Sequence, residues 1–322
     1  MTAQLKTKNI LTILIISFLI FIVAQAELIV PNDGFGWKTA DWDEEHPGGA
    51  NWAWEFVKLP SAWNYTTGNK NVKIGIVDTS FDSLHEDLRE NIFLPFITIP
   101  WDEHGTAVAG IVGAKGNNDK GITGVMWDTT LLPYGAGVPV IGGTSYALAI
   151  MNMWLAIIRD GAKVINYSAG SDFTDLQKVE SENKAWKWFL LDRFKNIVFV
   201  FAAGEENVDD EYSSPSSIAS EAGYDHVISV TASDRSGDLN QAAQANYGDI
   251  VVAAPGDEIM ATVPIGSDAD DDFCFGSNAV DGYGCLAGTS FSAPFVSGLA
   301  GLIYSVDPTK YEGKYKGKVL TA

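Results

Sequence analysis

Short apolar runs of strand type alternate along this chain with longer helical patterns, and that alternation fixes the fold class. Residues 72–77, 163–167, 196–201, 226–231 and 250–254 are rich in Val, Ile or Phe and almost free of charge. Residues 105–114, 146–159, 176–194 and 291–304 read as helices, the first packed with small residues and the last almost wholly apolar. Uncharged runs of this length are strands buried on both faces. Strands of that kind alternating with helices predict an α/β fold with three layers, a mostly parallel β-sheet with helices on both faces.

The chain has 322 residues, within reach of one large domain at about 100–200 residues per domain. It is 46% apolar and 19% charged, which supports a sizeable core and excludes wholesale disorder. Asp and Glu number 41 against 21 Lys and Arg, a formal charge of −20. A polyanion is repelled by nucleic acid and by anionic membrane surfaces, so neither is an expected partner. There is no internal repeat and no low-complexity linker.

The N-terminus carries Lys6 and Lys8, an apolar run over 10–23, and then Ala24-Gln25-Ala26. The run is short for a membrane span of about 20 residues, and the small-x-small triplet fits signal-peptidase cleavage. Residues 1–26 are therefore predicted to be a signal peptide on a secreted, extracellular protein, with no membrane contact after cleavage. Residues 27–50 are predicted to be an irregular extension, packed on the body through Trp37 and Trp42, and residues 51–322 one domain. Two cysteines, Cys274 and Cys285, are too few for a disulfide scaffold or a cysteine zinc site. Close in sequence and in an exported chain, they are predicted to form one disulfide, whose loop closure stabilises by roughly 3 kcal/mol.

Three segments carry reactive groups. Asp78 ends the first strand, where ligands gather in a parallel sheet. His104 opens the small-residue helix as His104-Gly105-Thr106. Ser290 lies in Gly288-Thr289-Ser290-Phe291-Ser292-Ala293-Pro294, which opens the last helix. Acyl transfer needs this set: an imidazole to take the serine proton, and a carboxylate to fix the imidazole tautomer. A serine at a helix N-terminus also has backbone N–H groups beside a developing oxyanion. Gly288 is expected to leave room for substrate, and Pro294 to lie in the first helical turn, where a missing N–H is tolerated. His-Glu-x-x-His, Gly-x-Ser-x-Gly and Gly-x-Gly-x-x-Gly after a strand are all absent, which argues against a zinc protease, an α/β-hydrolase and a dinucleotide enzyme.

In order and local context the three segments resemble those of the subtilisin-like serine proteases, the subtilases. Asp78-Thr-Ser-Phe-Asp82-Ser-Leu-His85-Glu-Asp87-Leu88 is similar to their aspartate segment, His104-Gly-Thr-Ala-Val-Ala-Gly110 to the histidine segment, and the Ser290 stretch to the serine segment. The resemblance runs from about Trp52 to the C-terminus. It implies a serine endopeptidase that cleaves extended peptide or protein substrates through an acyl-enzyme, with Asp78, His104 and Ser290 catalytic. It implies substrate binding by Ser168, Ala169 and Gly170, and by Ala203 and Gly204 at the floor of the primary pocket. His85 is then structural. No cofactor is expected for catalysis. A structural Ca²⁺ is expected between Asp87 and the loop that includes Asn118, the alternative being a solvated turn. A monomer is expected.

The chain departs from the family in three places. Thr79-Ser80 replace a tight turn's glycine, with little effect expected. Only about 50 residues separate the predicted signal from Asp78, too few for the family's folding prodomain. Glu205 stands where the family has its oxyanion-hole asparagine. Glu205 could be held protonated, swing away in favour of Asn207 or water, or leave the hole defective. The last outcome defines a rival function, a catalytically impaired subtilase fold that binds peptides.

Overall fold

The molecule is described here from a computed structural model covering residues 28–33, 52–93, 100–138, 143–239, 244–267 and 282–307. The segments read as the signal peptide, together with Trp37, Trp42 and Cys274, lie outside the described residues.

Six parallel strands form the central sheet: β1 (Gly68–Asp78), β2 (Asp128–Gly135), β3 (Val164–Tyr167), β4 (Val198–Ala202), β5 (Val227–Ser233) and β6 (Val252–Pro255). Their order is β6-β5-β4-β3-β1-β2. Five of these match the apolar runs. The sixth, β2, has a polar start and carries Pro133, which hides it from a pattern search. It is the last strand of the sheet: β1 lies on one side, and on the other only a single bridge, at Leu131, joins it to Ile92, so the edge at Pro133 tolerates a proline.

Successive strand side chains face opposite ways, and the sheet sorts them into two cores. Ile74, Ile76, Val164, Val198 and Val200 face one layer, which holds α1 (Trp52–Phe56), α2 (Leu59–Trp63), α3 (His104–Gly113) and α6 (Thr289–Val306). Val77, Ile165, Tyr167, Phe199 and Phe201 face the other, which holds α4 (Tyr146–Trp154) and α5 (Leu176–Trp186). Each of these two helices runs on into a π-helical turn, Leu155–Arg159 and Lys187–Leu191, so the helical spans are close to those predicted. The three predicted layers are therefore present.

The first core is fastened by tryptophans. Trp54 meets Phe295 edge-on at 5.0 Å between ring centres. Trp63 meets Trp127 at the same distance, and its Nε1 donates to the Val125 carbonyl at 2.9 Å. The described part of the N-terminal extension is held on the body through Asp33: the Asn117 and Asn118 N–H groups donate to its fully buried carboxylate at 2.8 and 3.0 Å.

Trp63→Ala should cost about 3–5 kcal/mol, since it opens a cavity and orphans the Val125 carbonyl. Ile265→Ala, at a side chain 69% exposed, should stay within about 0.5 kcal/mol of the parent in the same denaturant titration.

Candidate active site

The C-terminal edge of the sheet gathers Asp78 at the end of β1, Ser168 just after β3, and Ala203-Gly204 just after β4. The helix N-termini of α3 and α6 bring His104 and Ser290 to the same edge. Asp78 is 1% exposed, and its Oδ1 accepts from His104 Nδ1 at 2.6 Å and from the Thr79 N–H at 2.7 Å. Its Oδ2 is buried with no partner among the described residues. Gly105 makes this approach possible, because a Cβ there would lie 2.3 Å from the Ser80 carbonyl oxygen.

The turn after Asp78 is more than a spacer. Asp102 Oδ1 accepts from the His104 N–H at 2.7 Å and from Thr79 Oγ1 at 2.9 Å, and Ser80 Oγ donates to the Asp102 carbonyl at 3.0 Å. Thr79 and Ser80 thus brace the segment that enters α3, a use for side chains that the sequence reading expected to matter little.

Burial pulls the His104 pKa down, but the Asp78 charge and hydrogen bond push it up, and Asp102 and Glu205 add to this, for a net value of about 9. Because that lies above the ordinary value near 6.5, the pair's stabilisation is complete below about 6.5 and is lost as pH rises through about 9.

Ser290 is the second residue of α6, and its Oγ donates to the Ser168 carbonyl at 3.1 Å rather than to the imidazole. Phe291, the residue after Ser290, packs its ring 5.4 Å from that of His104, and Glu205, which accepts from the Ser290 N–H, is among the charges that act on His104. Pro294 lies beyond the first turn of α6, contrary to expectation. It lacks the N–H that would close a helical bond to the Ser290 carbonyl. Ser168 Oγ supplies the missing donor at 2.8 Å. Asn166 Nδ2 donates to Ser168 Oγ at 2.9 Å, and Ser297 Oγ to Asn166 Oδ1 at 2.7 Å. A buried polar chain therefore runs from the middle of α6 back to its first turn. Ser168 holds Ser290 in place, a role the sequence did not reveal.

Glu205 does not swing away. Its Oε1 accepts from the Ser290 N–H at 3.4 Å and from Thr289 Oγ1 at 3.2 Å. Gly288, at φ +139°, leaves room for this carboxylate: a Cβ there would lie 2.3 Å from Glu205 Oε1. The Asn207 backbone N–H donates to the Gln244 carbonyl at 3.0 Å.

A cavity of about 210 Å³ opens beside Ser290. Ala169, Gly170, Ala203 and Gly204 line it, and Glu205 lies on its wall. Ser168 is 2% exposed and lies behind the lining.

The two residues read as calcium ligands do meet, but as a hydrogen-bonded pair. Asn118 turns Nδ2 toward Asp87 Oδ1 at 2.9 Å, while Asp87 Oδ2 accepts from the Ile122 N–H and Tyr283 Oη. The loop turns two further N–H groups onto Asp33. A hard cation needs free oxygen lone pairs, and here N–H and O–H donors occupy them, so the residues present do not fit Ca²⁺. His85 is structural as expected: buried, with Nε2 donating to the Gly282 carbonyl at 2.7 Å and Nδ1 accepting from the Asp87 N–H.

A parallel α/β sheet with an aspartate–histidine pair and a serine at a helix start defines the class of subtilisin-like proteins. The subtilase family profile matches residues 69–321, and the chain belongs to that family. A thermophilic serine proteinase of Bacillus sp. (strain AK1) is 32% identical over 252 residues, 76% of this chain and 55% of that protein. Thermitase of Thermoactinomyces vulgaris is 31% identical over 260 residues, 77% of this chain and 80% of its own. Subtilisin-like protease 2 of Plasmodium falciparum is 28% identical over 80% of this chain, which spans only 19% of that protein. Among solved structures, a lanthipeptide protease superposes with a TM-score of 0.68 at 22% identity over 90% of both chains. A protease of Pseudoalteromonas arctica PAMC 21717 does so with a TM-score of 0.64 at 23% identity, over 91% of both.

Two measurements check this geometry. An NMR titration of the His104 ring should give a pKa near 9, and Glu205→Gln, which removes one of the charges that raise it, should lower that value. Chelation with EDTA should leave the melting temperature unchanged, whereas Asp33→Ala should destabilise by about 1–3 kcal/mol by orphaning two loop N–H groups.

Proposed function

We propose that this chain is a secreted serine endopeptidase that cleaves extended peptides through an acyl-enzyme at Ser290. The observation that carries this reading is the 2.6 Å bond from His104 Nδ1 to buried Asp78, with Phe291, next to Ser290, packed on the His104 ring. With Nδ1 committed to Asp78, Nε2 is the nitrogen left to take a proton. A rotation about the Ser290 side chain turns Oγ from the Ser168 carbonyl toward the imidazole. Oγ then attacks the scissile carbonyl carbon while its proton passes to His104 Nε2. The Ser290 N–H, at the start of α6, donates to the oxyanion. Collapse expels the amine, which receives the proton from His104, and water repeats the sequence to release the acid.

Glu205 slows this reaction but does not abolish it. While ionised it only accepts hydrogen bonds, and it holds the N–H that the oxyanion needs. It must yield that donor as charge develops. The rival reading, a peptide binder without turnover, explains neither the preserved aspartate–histidine pair nor the polar chain that fixes Ser290.

Secretion is supported by the basic and then apolar N-terminus, with residues 1–26 as signal peptide and 51–322 as the peptidase unit. An oxidised pairing of Cys274 with Cys285 is supported by Cys285 not being a free thiol.

A fluorophosphonate probe should label the purified protein at Ser290, and an unlabelled serine in folded protein would overturn the reading. Since the base must be neutral, kcat/KM should rise with pH toward a plateau above about 9. Glu205→Asn should raise kcat by roughly 10–100-fold, at or below the roughly 100–1000-fold that one oxyanion donor is worth. A variant slower than the parent at every pH would make Glu205 a competent oxyanion group.

A further inference from the structure

We propose that the pocket beside Ser290 selects a lysine or arginine side chain on the acyl side of the scissile bond, with the Asp172 carboxylate as its counter-charge. This rests on the reading of Ser290 as the nucleophile. The cavity, with Ser290 in its lining, gives the site; the carboxylates decide only which side chain it takes.

Asp172, Glu205 and Glu206 line the cavity, and among the described residues no Lys, Arg or His does. Asp172 belongs to a two-residue strand, Ser171–Asp172, paired with Ser213–Ser214. Its Oδ1 accepts from Ser213 Oγ and, at 2.9 Å, from Asn246 Nδ2. Its Oδ2 accepts no hydrogen bond among the described residues and lies against Gly204, 3.0 Å from where a Cβ on that residue would be. One oxygen is anchored and the other is left for a ligand.

Asn246 makes this arrangement rigid. It is 1% exposed, its Nδ2 also donates to the Ala203 carbonyl at 2.8 Å, and its Oδ1 accepts from the Glu206 and Val208 N–H groups. The same amide therefore holds the pocket floor, the Glu206 turn and the Asp172 carboxylate in one frame. A carboxylate fixed before binding loses little freedom when a cation arrives.

The pocket's field is negative from more than one side. Asp210, behind the lining residue Ser216, has its carboxyl pushed up to about 7 by burial, with the charges of Asp209, Asp172 and Asp249 adding to that. An apolar side chain in the pocket would strip water from Asp172 and give nothing back, a cost for any charged group. An acidic one would be repelled. A lysine ammonium or arginine guanidinium forms a charge-assisted hydrogen bond to Oδ2, the stronger kind. Its long stem reaches down a cavity of about 210 Å³ from the acyl carbon held at Ser290.

The test uses peptides of one sequence and one leaving group, with lysine, arginine, norleucine or glutamate next to the scissile bond. Lysine and arginine should exceed norleucine in kcat/KM by about 10–100-fold, the ratio a charge-assisted hydrogen bond supports, and glutamate should be poorest. Asp172→Asn should bring the lysine-to-norleucine ratio toward unity, and Asp172→Glu should keep part of it. Fluorophosphonate labelling of Ser290 needs no charged side chain and is run beside the kinetics. A protein that labels but cleaves the norleucine peptide as well as the lysine peptide overturns this inference and leaves the nucleophile standing. A protein that does not label overturns the nucleophile. The pocket is then read from fluorescence anisotropy of Ser290→Ala with the same peptides, where equal binding of lysine and norleucine overturns the selectivity as well.

Discussion

A carboxylate buried at the end of a hydrophobic strand must find a partner or lose its charge, and the site is arranged around that necessity. Asp78 is 1% exposed, and one of its oxygens has no donor among the described residues. A neutral partner would leave a bare charge in a poorly solvated place, which is costly. His104, held 2.6 Å away, supplies both a donor and a positive charge. The close approach needs Gly105 at the start of α3, and the Thr79–Asp102 brace fixes the backbone that delivers the ring. The pair constrains function as well: a base tied so firmly to carboxylates gives up its proton late, which places the reactive state on the alkaline side.

The rest of the cleft extends the same electrostatics. Glu205 sits on the Ser290 N–H, Asp172 and Glu206 line the adjoining pocket, and Asp210 stands behind it. Negative potential raises the proton affinity of the imidazole and opposes an oxyanion, while it draws in a cationic side chain. The two oxygens of Ser168 hold the serine in place. The carbonyl holds the resting hydroxyl, and Oγ replaces the hydrogen bond that Pro294 removes from α6.

The fold was legible because buried strands and helices differ in period and in composition. Five strands of the sheet, and the aspartate, histidine and serine, could be read from runs of a few residues each. What escaped depends on the direction of single groups. The edge strand β2 was missed because its proline and polar start break the apolar run. Calcium was expected from the Asp87 and Asn118 side chains, but composition does not say whether a loop turns its N–H or its C=O groups inward, and this one donates N–H groups to Asp33. Asp172 and Asn246 lie 74 positions apart, and only the fold brings them together at Ala203. Pro294 was placed one turn too early, which hid the need for Ser168 Oγ.

The account stands or falls on the charge of Asp78, and Asp78→Asn removes that charge while nearly preserving volume. The direct measurement is kcat/KM against pH for the parent and for this variant, after equal folding is established by denaturant titration. Loss of roughly four orders of magnitude at the parent's plateau, with the alkaline rise displaced to lower pH, is the predicted result. A variant within tenfold of the parent, with an unmoved pH profile, would contradict it, because His104 would then owe neither its tautomer nor its raised proton affinity to Asp78.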